Sequence, residues 1–257
     1  MSTPDLTLYT AAAPNGIKIS MALEFLELPY KVQVINLTKM EQKTPEFLAI
    51  NPNGRIPALV DVIDGKQVNL MESGAILLYL TDKYDPEYKL SYPFGSKEYY
   101  EVLEWLFFQV GGLGPMLGQS LHFMHYCATA NPDVINYGVN RYQNEVRRLF
   151  GVLNTRLEKQ KAAGSKFLVG DHLSIADLAN LGWVLYDTYG GIESTDYSAL
   201  NEWQDMLSAM PLVHKGMDVP APFKIKELAK DKASLELVAN AGREWISKQM
   251  LEQAIRK

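Results

Sequence analysis

The sequence is poor in several features that would indicate common kinds of protein. It contains one cysteine, Cys127, among 257 residues, so no intramolecular disulfide can form. Its net charge of −5 is unlike the basic surface of a nucleic-acid-binding protein. No apolar run approaches the roughly 18 residues that a membrane span needs, and the N-terminus lacks the basic and apolar regions of a secretory signal peptide. These absences favour a reducing compartment, and we expect a cytoplasmic protein without nucleic-acid or membrane partners.

The pattern of apolar residues and turn signals divides the chain into two domains. Residues 1–84 read as strand, helix, strand, short helix, two strands joined by a turn at Asp64–Gly65, and a helix. This order predicts a thioredoxin-like α/β domain, and the binding site described next lies within it. A linker at 85–96 precedes long helical patterns, which predict an all-α domain over 97–257. Its extension from about residue 217 could cover a cleft, extend a dimer interface or lie on the surface.

Two short segments about fifteen residues apart predict a binding site for a small peptide. Pro57 has no N–H and tolerates the cis form, which would leave the backbone of Ile56 unpaired before an edge-like strand. Such a backbone can hold a peptide-like ligand as an extra strand. Ser73, after Glu72, is expected to cap a helix whose N-terminal N–H groups would face a carboxylate. A peptide site beside a carboxylate site predicts a ligand such as glutathione.

The turn after the first strand, Ala11–Asn15, lacks the Cys-x-x-Cys of thioredoxin-type oxidoreductases. Any thiol chemistry must therefore use a thiol that the ligand brings in. Asn15 is the candidate contact for that thiol, because its amide can donate a hydrogen bond to sulfur and the helix N-terminus adds a positive field. The pattern by itself favours a simpler reading, in which Asn15 only caps the helix.

Six segments carry a wider resemblance, namely Ala13–Lys18, Asn51–Pro57, Glu72–Leu80, Trp105–Gln119, Arg141–Gln143 and Ser174–Asp177. Together they resemble the glutathione transferases. The likeness is narrower to the Nu class of disulfide-bond oxidoreductases and to fungal nitrogen-regulator-like transferases, and it covers about residues 5 to 215. It implies the glutathione transferase fold, with a thioredoxin-like α/β domain and an all-α domain. Glutathione is the implied co-substrate, no metal is implied, and the implied assembly is a homodimer.

The resemblance assigns roles to the residues around the thiol and the γ-glutamyl end of glutathione. Asn15 becomes the catalytic contact with the thiol, and Tyr9 is a secondary candidate donor. Glu72 would bind the ammonium group and Ser73 the carboxylate, while Ile56 would pair with the cysteinyl unit. On pattern alone, Glu72 and Ser73 are an acid and a cap at a helix start.

The remaining ligand contacts come from the resemblance as well. Gln42 and Arg55 flank the expected position of the glycyl carboxylate. Arg141 matches a residue that reaches the ligand of the neighbouring subunit. On pattern alone, Arg55 and Arg141 are solvated surface residues. Relatives often carry a threonine or serine where this chain has Ala13, which puts its rate of catalysis in question.

Other patterns indicate structure. Ser174 and Asp177 form a capping-box variant that we assign to stability. His122 and His125 offer only two metal ligands, so no metal site is expected. Three glycines are expected to form a small-residue floor that opens the cleft for a second substrate, and three apolar residues either line that cleft or belong to the core. These residues are Gly111, Gly112 and Gly114, and Phe107, Phe108 and Met116, respectively.

Two classes of function stay open. The first is a glutathione-dependent enzyme, a transferase acting on an electrophile in detoxification or a reductase of disulfides or peroxides under oxidative stress. The modest stabilisation of a thiolate by Asn15 suits thiol–disulfide exchange, which is fastest when the attacking thiol has a pKa near ambient pH. The second class is a non-catalytic, glutathione-binding regulatory protein with a transferase fold, because fold does not determine function.

Overall fold

The computed structural model describes residues 4–127, 131–231, 233–237, 239–240, 242–243 and 246. Its N-terminal part contains β1 (Leu6–Thr10), α1 (Pro14–Phe25), β2 (Tyr30–Val34), α2 (Pro45–Ile50), β3 (Ala58–Ile63), β4 (Lys66–Met71) and α3 (Ser73–Tyr84). The sheet order is β2-β1-β3-β4, with β1 and β2 parallel and the other two pairs antiparallel. This is the predicted thioredoxin-like arrangement. The expectation of an edge-like strand after Pro57 is wrong, because β3 pairs with β1 on one side and β4 on the other.

The C-terminal part is helical. Its helices are α4 (Lys97–Phe108), α5 (Gly114–Leu121), α6 (Pro132–Ala162), α7 (Ile175–Val184), α8 (Ser198–Ser208), α9 (Pro211–Met217) and α10 (Ile225–Leu228). The single helix expected between Tyr99 and Leu121 is interrupted by a π-helical turn at Gln109–Leu113, and a second π turn follows at His122–Tyr126. Such turns widen a helix locally and are frequent at functional sites. Most of the predicted helical tail over 231–257 lies outside the described residues.

Helix α1 is buried between the sheet and the helical part. Every residue from Gly16 to Leu23 is buried, including the polar residues Lys18 and Ser20. On the far side of the helix from the sheet, α1 lies against α7 and α9. A Cβ atom at Gly182 of α7 would lie 2.8 Å from Pro14 O, so only glycine permits this approach. The two parts of the chain therefore share one hydrophobic core.

The capping interaction predicted at the start of α7 is confirmed. Asp177 Oδ2 accepts hydrogen bonds from the Ser174 N–H at 3.1 Å and from the Ser174 hydroxyl at 3.0 Å. Its other carboxylate oxygen accepts from the indole N–H of Trp203 at 2.9 Å and from the N–H of Leu168 at 2.8 Å. Asp177 thus accepts hydrogen bonds from three separate parts of the helical domain, in keeping with a role in stability.

Among the described residues, no helix is long and apolar enough to cross a membrane. In the same part of the chain, no three His, Cys, Asp or Glu side chains lie close enough together to hold a metal ion. His125 instead stacks on Tyr189 with ring centroids 4.5 Å apart, and its Nε2 lies 2.7 Å from Tyr189 O.

Candidate active site

Asn15 lies at the end of β1, where the chain turns into α1. Ala13 is the N-cap of this helix, Pro14 its first residue and Asn15 its second. The capping interpretation of Asn15 is therefore wrong: no side chain caps α1. Pro14 suits this position because it has no N–H and its fixed φ is already helical. The backbone N–H of Asn15 has no acceptor within the described residues, so the positive end of the α1 dipole stays open beside the side chain.

The Asn15 side chain has one hydrogen-bond partner in the described part of the chain. Its Oδ1 accepts from the indole N–H of Trp183, on α7, at 2.8 Å. The Nδ2 amide group therefore keeps both of its N–H donors for another partner. A thiolate at that position would receive a hydrogen bond from Nδ2 in the field of the α1 N-terminus, and both effects lower a thiol pKa.

Tyr9, the secondary candidate for the thiol contact, points away from α1. Along β1 the residues Leu6, Leu8 and Thr10 are buried, and Leu6 and Leu8 face the core that contains α1. Side chains alternate along a strand, so Tyr9 faces the other side of the sheet. There its ring packs edge-on against Phe47 of α2, with ring centroids 6.2 Å apart. The structure thus favours Asn15 over Tyr9 as the thiol contact.

The loop before β3 is held by one buried side chain, that of Asn51. Its Nδ2 donates to Arg55 O at 2.6 Å, and its Oδ1 accepts from the N–H of Asn53 at 3.0 Å. The Ile56–Pro57 peptide bond is cis, as the sequence suggested. Ile56 lies outside the strand ladder and makes no backbone hydrogen bond in the described part of the chain. Its N–H and C=O are available to pair with a peptide.

Glu72 and Ser73 stand at the start of α3, although not in the roles expected of a capped helix. Glu72 is the N-cap residue, with φ 66°, and Ser73 is the first residue of the helix. The prediction that Ser73 caps α3 is wrong: it lies one residue past the N-cap, and its hydroxyl accepts a hydrogen bond from Lys18 Nζ at 3.2 Å. The first N–H groups of α3, from Ser73 to Ala75, have no acceptor among the described residues. They form the open helix N-terminus that a carboxylate ligand needs.

Lys18 is the site residue that the sequence pattern did not reveal. It lies on α1 with 1% of its surface exposed, and its Nζ also donates to Oε1 of Gln109, from the π turn, at 2.5 Å. Burial lowers the pKa of Lys18 to about 7, and the charge of Glu72 opposes that shift. Lys18 thus places a buried cationic group behind the open N-terminus of α3, where it favours an anion. The sequence signal that could have identified Lys18 is its position within an otherwise apolar helix.

The residues expected near the glycyl carboxylate differ in exposure. Gln42 is 1% exposed, and its Oε1 has no hydrogen-bond partner among the described residues. Arg55 is exposed on the loop. Lys43, which the sequence analysis did not single out, donates from Nζ to Asn53 O at 3.3 Å on the same loop. Asn53 in turn donates from Nδ2 to Oε1 of Glu72 at 3.3 Å, which links the peptide loop to the start of α3.

Arg141 and the glycine segment stand apart from these contacts. Arg141 is exposed on α6, and its side chain makes no hydrogen bond or ion pair with the rest of the described chain. Gly111 has open space around it, whereas Gly114 packs against Gln109 and Trp183. The expectation that all three glycines open a cleft is therefore wrong for Gly114, which accommodates buried side chains. Of the apolar residues expected either in the cleft or in the core, Phe107 is 63% exposed and so does not belong to the core.

The beginning of the C-terminal extension covers a cavity beside the Ala11–Asn15 turn. This cavity has a volume of about 300 Å³, and its lining includes Ala12, Ile17, Tyr186, Met217, Phe223 and Ile225. The ring of Phe223 packs edge-on against Tyr186, with centroids 5.9 Å apart. The described part of the extension therefore packs over this cavity.

A thioredoxin-like domain, with a cis-proline loop beside an open helix N-terminus, is joined here to an all-helical domain, which is the architecture expected of a glutathione transferase. Family models agree: the glutathione S-transferase N-terminal domain matches residues 4–82, and the glutathione S-transferase C-terminal domain matches residues 137–211. The chain belongs to the glutathione S-transferase family.

Three relatives show how close the similarity is. The chain is 44% identical over 209 residues to the disulfide-bond oxidoreductase YfcG of Escherichia coli, covering 80% of this chain and 91% of the relative. A glutathione transferase homologue from Lodderomyces elongisporus, solved with two glutathione molecules per subunit, has a TM-score of 0.78 at 44% identity, covering 84% and 99%. Glutathione transferase URE2P6 from Phanerochaete chrysosporium, solved with oxidized glutathione, has a TM-score of 0.75 at 37% identity, covering 83% and 94%.

The buried position of Lys18 predicts a pH dependence of stability. Above its folded pKa of about 7, the folded state releases a proton that the unfolded state keeps up to its ordinary, much higher pKa. The free energy of unfolding should therefore rise from pH 7 towards pH 9, by up to about 1.4 kcal/mol per pH unit. Below pH 7 both states are protonated, and the cost of burying the charge is fully present.

Urea unfolding of the Lys18→Met variant and the wild type at pH 6, 7.5 and 9 checks this prediction. The free energy of unfolding of the wild type should rise relative to that of Lys18→Met as the pH increases from 7 towards 9. Lys166→Met, at an exposed lysine, is the matched control and should run parallel to the wild type. Parallel profiles for Lys18→Met as well would show that Lys18 keeps an ordinary pKa.

Proposed function

We propose that this protein is a glutathione-dependent enzyme that reduces disulfides with the thiol of bound glutathione. The observation that carries the proposal is the Asn15 amide, whose oxygen is occupied by Trp183 and whose Nδ2 is left to donate at the N-terminus of α1. The protein has no thiol of its own at that turn. The name of the E. coli relative, a disulfide-bond oxidoreductase, supports the same reaction.

The proposed reaction balances as two thiol–disulfide exchanges. The thiolate of bound glutathione attacks one sulfur of the substrate disulfide, a sulfur–sulfur bond breaks, and the other half leaves as a thiolate that takes up a proton. The mixed disulfide is then attacked by the thiolate of a second glutathione. The products are glutathione disulfide and the second reduced thiol. Two glutathione molecules per subunit in the Lodderomyces neighbour fit this sequence of steps.

In this proposal the ligand lies across three contacts. Its γ-glutamyl carboxylate binds the open N-terminus of α3 at Ser73, and its ammonium group binds Glu72. Its cysteinyl backbone pairs with Ile56. Arg55 and Gln42 remain our assignment for the glycyl end.

The second substrate would enter the cavity beside Ala12, which Phe223 and other apolar residues line. A small apolar electrophile or a peroxide that fits there would react with the same thiolate, so conjugation and peroxide reduction are companion activities. Arg141, exposed and without an ion pair in the described chain, is our candidate for a contact with the partner's ligand in a homodimer. The compartment proposed for this chemistry is the cytoplasm.

Disulfide turnover should need no cysteine of the protein. Cys127 follows the second π turn, beyond α5, and is far along the chain from the turn that holds Asn15. The Cys127→Ser variant should therefore reduce a model dialkyl disulfide, with glutathione present, at a rate within about two-fold of the wild type. Loss of ten-fold or more would contradict the assignment of glutathione as the nucleophile. Glutathione binding without any turnover, in the wild type, would favour the regulatory alternative.

Glutathione binding should depend on the start of α3. Combining Glu72→Ala with Ser73→Ala removes one charged partner and one hydroxyl, and the affinity measured by calorimetry should fall more than about ten-fold. The matched control changes another Glu-Ser pair, Glu193→Ala with Ser194→Ala, at a surface turn in the helical domain. Wild-type affinity in the first double variant would show that the γ-glutamyl end lies elsewhere.

A further inference from the structure

Trp183 determines which way the Asn15 amide faces. The indole N–H is only a donor, so the group 2.8 Å from it must be the amide oxygen and not the amide nitrogen. The nitrogen lies on the opposite side of the same planar amide. We propose that Trp183 is the positioning residue that holds Nδ2 of Asn15 towards the thiol of bound glutathione. The inference rests on the proposed function, because it needs a thiol at that position.

The orientation matters because an amide has two faces of opposite character. The last torsion of an asparagine side chain has a broad, roughly two-fold preference, so its oxygen and nitrogen exchange places at little cost. With Nδ2 outward, Asn15 donates a hydrogen bond to a thiolate and stabilises it. With Oδ1 outward, it presents lone pairs to a negative sulfur and disfavours the thiolate. One hydrogen bond from Trp183 removes the second arrangement.

The indole itself is held by the packing of α5. Trp183 is 8% exposed and lies over Gly114 and Gly118, which are four residues apart and share a face of that helix. A Cβ atom at Gly114 would lie 3.0 Å from Trp183 Nε1, and one at Gly118 would lie 3.3 Å from Cη2. The two glycines therefore provide the space for the ring, which fixes the direction of its N–H. This accounts for Gly114, which the expected open cleft did not explain.

In this arrangement the helical domain, through Trp183, orients the residue that contacts the thiol. Trp183 would touch neither substrate nor thiol, and it would act only through Asn15. Substituting it should therefore change the chemistry of the thiol, and this change should disappear when Asn15 is absent. A residue with a purely structural role would lower stability without this dependence.

The test is a double-mutant cycle with Trp183→Phe and Asn15→Ala. The pKa of the glutathione thiol in the complex is followed by thiolate absorbance, and kcat/KM for a disulfide is measured alongside. Trp183→Phe should raise that thiol pKa and lower kcat/KM about ten-fold, the size of one hydrogen bond's effect. In the Asn15→Ala background the same substitution should change neither quantity by more than about two-fold.

Trp203→Phe is the matched control. Trp203, on α8, also donates a buried indole hydrogen bond, to Asp177 at 2.9 Å, but its acceptor lies in the first turn of α7 and not at the proposed thiol position. The substitution should lower the melting temperature and leave the thiol pKa unchanged. If Trp183→Phe does not fold, Gly118→Ala provides a second variant, because its Cβ presses on the indole ring alone. It should move the thiol pKa in the same direction by a smaller amount.

Three results would overturn the inference. The first is an unchanged thiol pKa in Trp183→Phe and Gly118→Ala. The second is an equal effect of Trp183→Phe with and without Asn15. In both of these cases the proposed function stands, provided that the wild type binds glutathione and turns over. The third is a wild-type protein that binds no glutathione, which would overturn the proposed function together with the inference.

Discussion

The burial of α1 on both sides is the constraint on which the rest of the structure depends. Because the sheet covers one face and α7 and α9 cover the other, no residue from Gly16 to Leu23 reaches solvent. A polar residue in such a helix must find its partners in neighbouring elements. Lys18 does so with Ser73 and Gln109, and Asn15, at the half-buried start of the helix, does so with Trp183. The two ends of the candidate site are thus supported by residues of both domains.

Much of the fold could be predicted from the sequence because its signals are local. The alternation of apolar residues predicted the observed bounds of β1. Proline and glycine predicted the linker, and helical periodicity predicted α3. The contact between Ser174 and Asp177 was also correctly predicted, and the cis peptide bond at Pro57 is the form that the sequence analysis considered there. The pairing of β3 with a strand on each side was not predicted, because strand order depends on contacts between residues distant in sequence.

The candidate site was predictable only where a residue acts within its own segment. Asn15, Ile56 and Glu72 sit where short motifs placed them. Lys18 and Trp183 escaped notice because their partners are 91 and 168 residues away in the chain. The hydroxyl of Ser73 was assigned to its own helix for the same reason. A local cap and a long-range hydrogen bond look identical in a sequence, and tertiary packing decides between them.

In this proposal one glutathione molecule is held at two places, with its thiol at Asn15 and its γ-glutamyl end at the start of α3. A crystal structure of the protein with glutathione tests this most directly. We expect the sulfur within hydrogen-bond distance of Asn15 Nδ2, with the Asn15 oxygen still accepting from Trp183. We also expect the γ-glutamyl carboxylate at the N–H groups of Ser73 and Gly74. A sulfur facing Tyr9, or a carboxylate away from α3, would show that glutathione binds in another way.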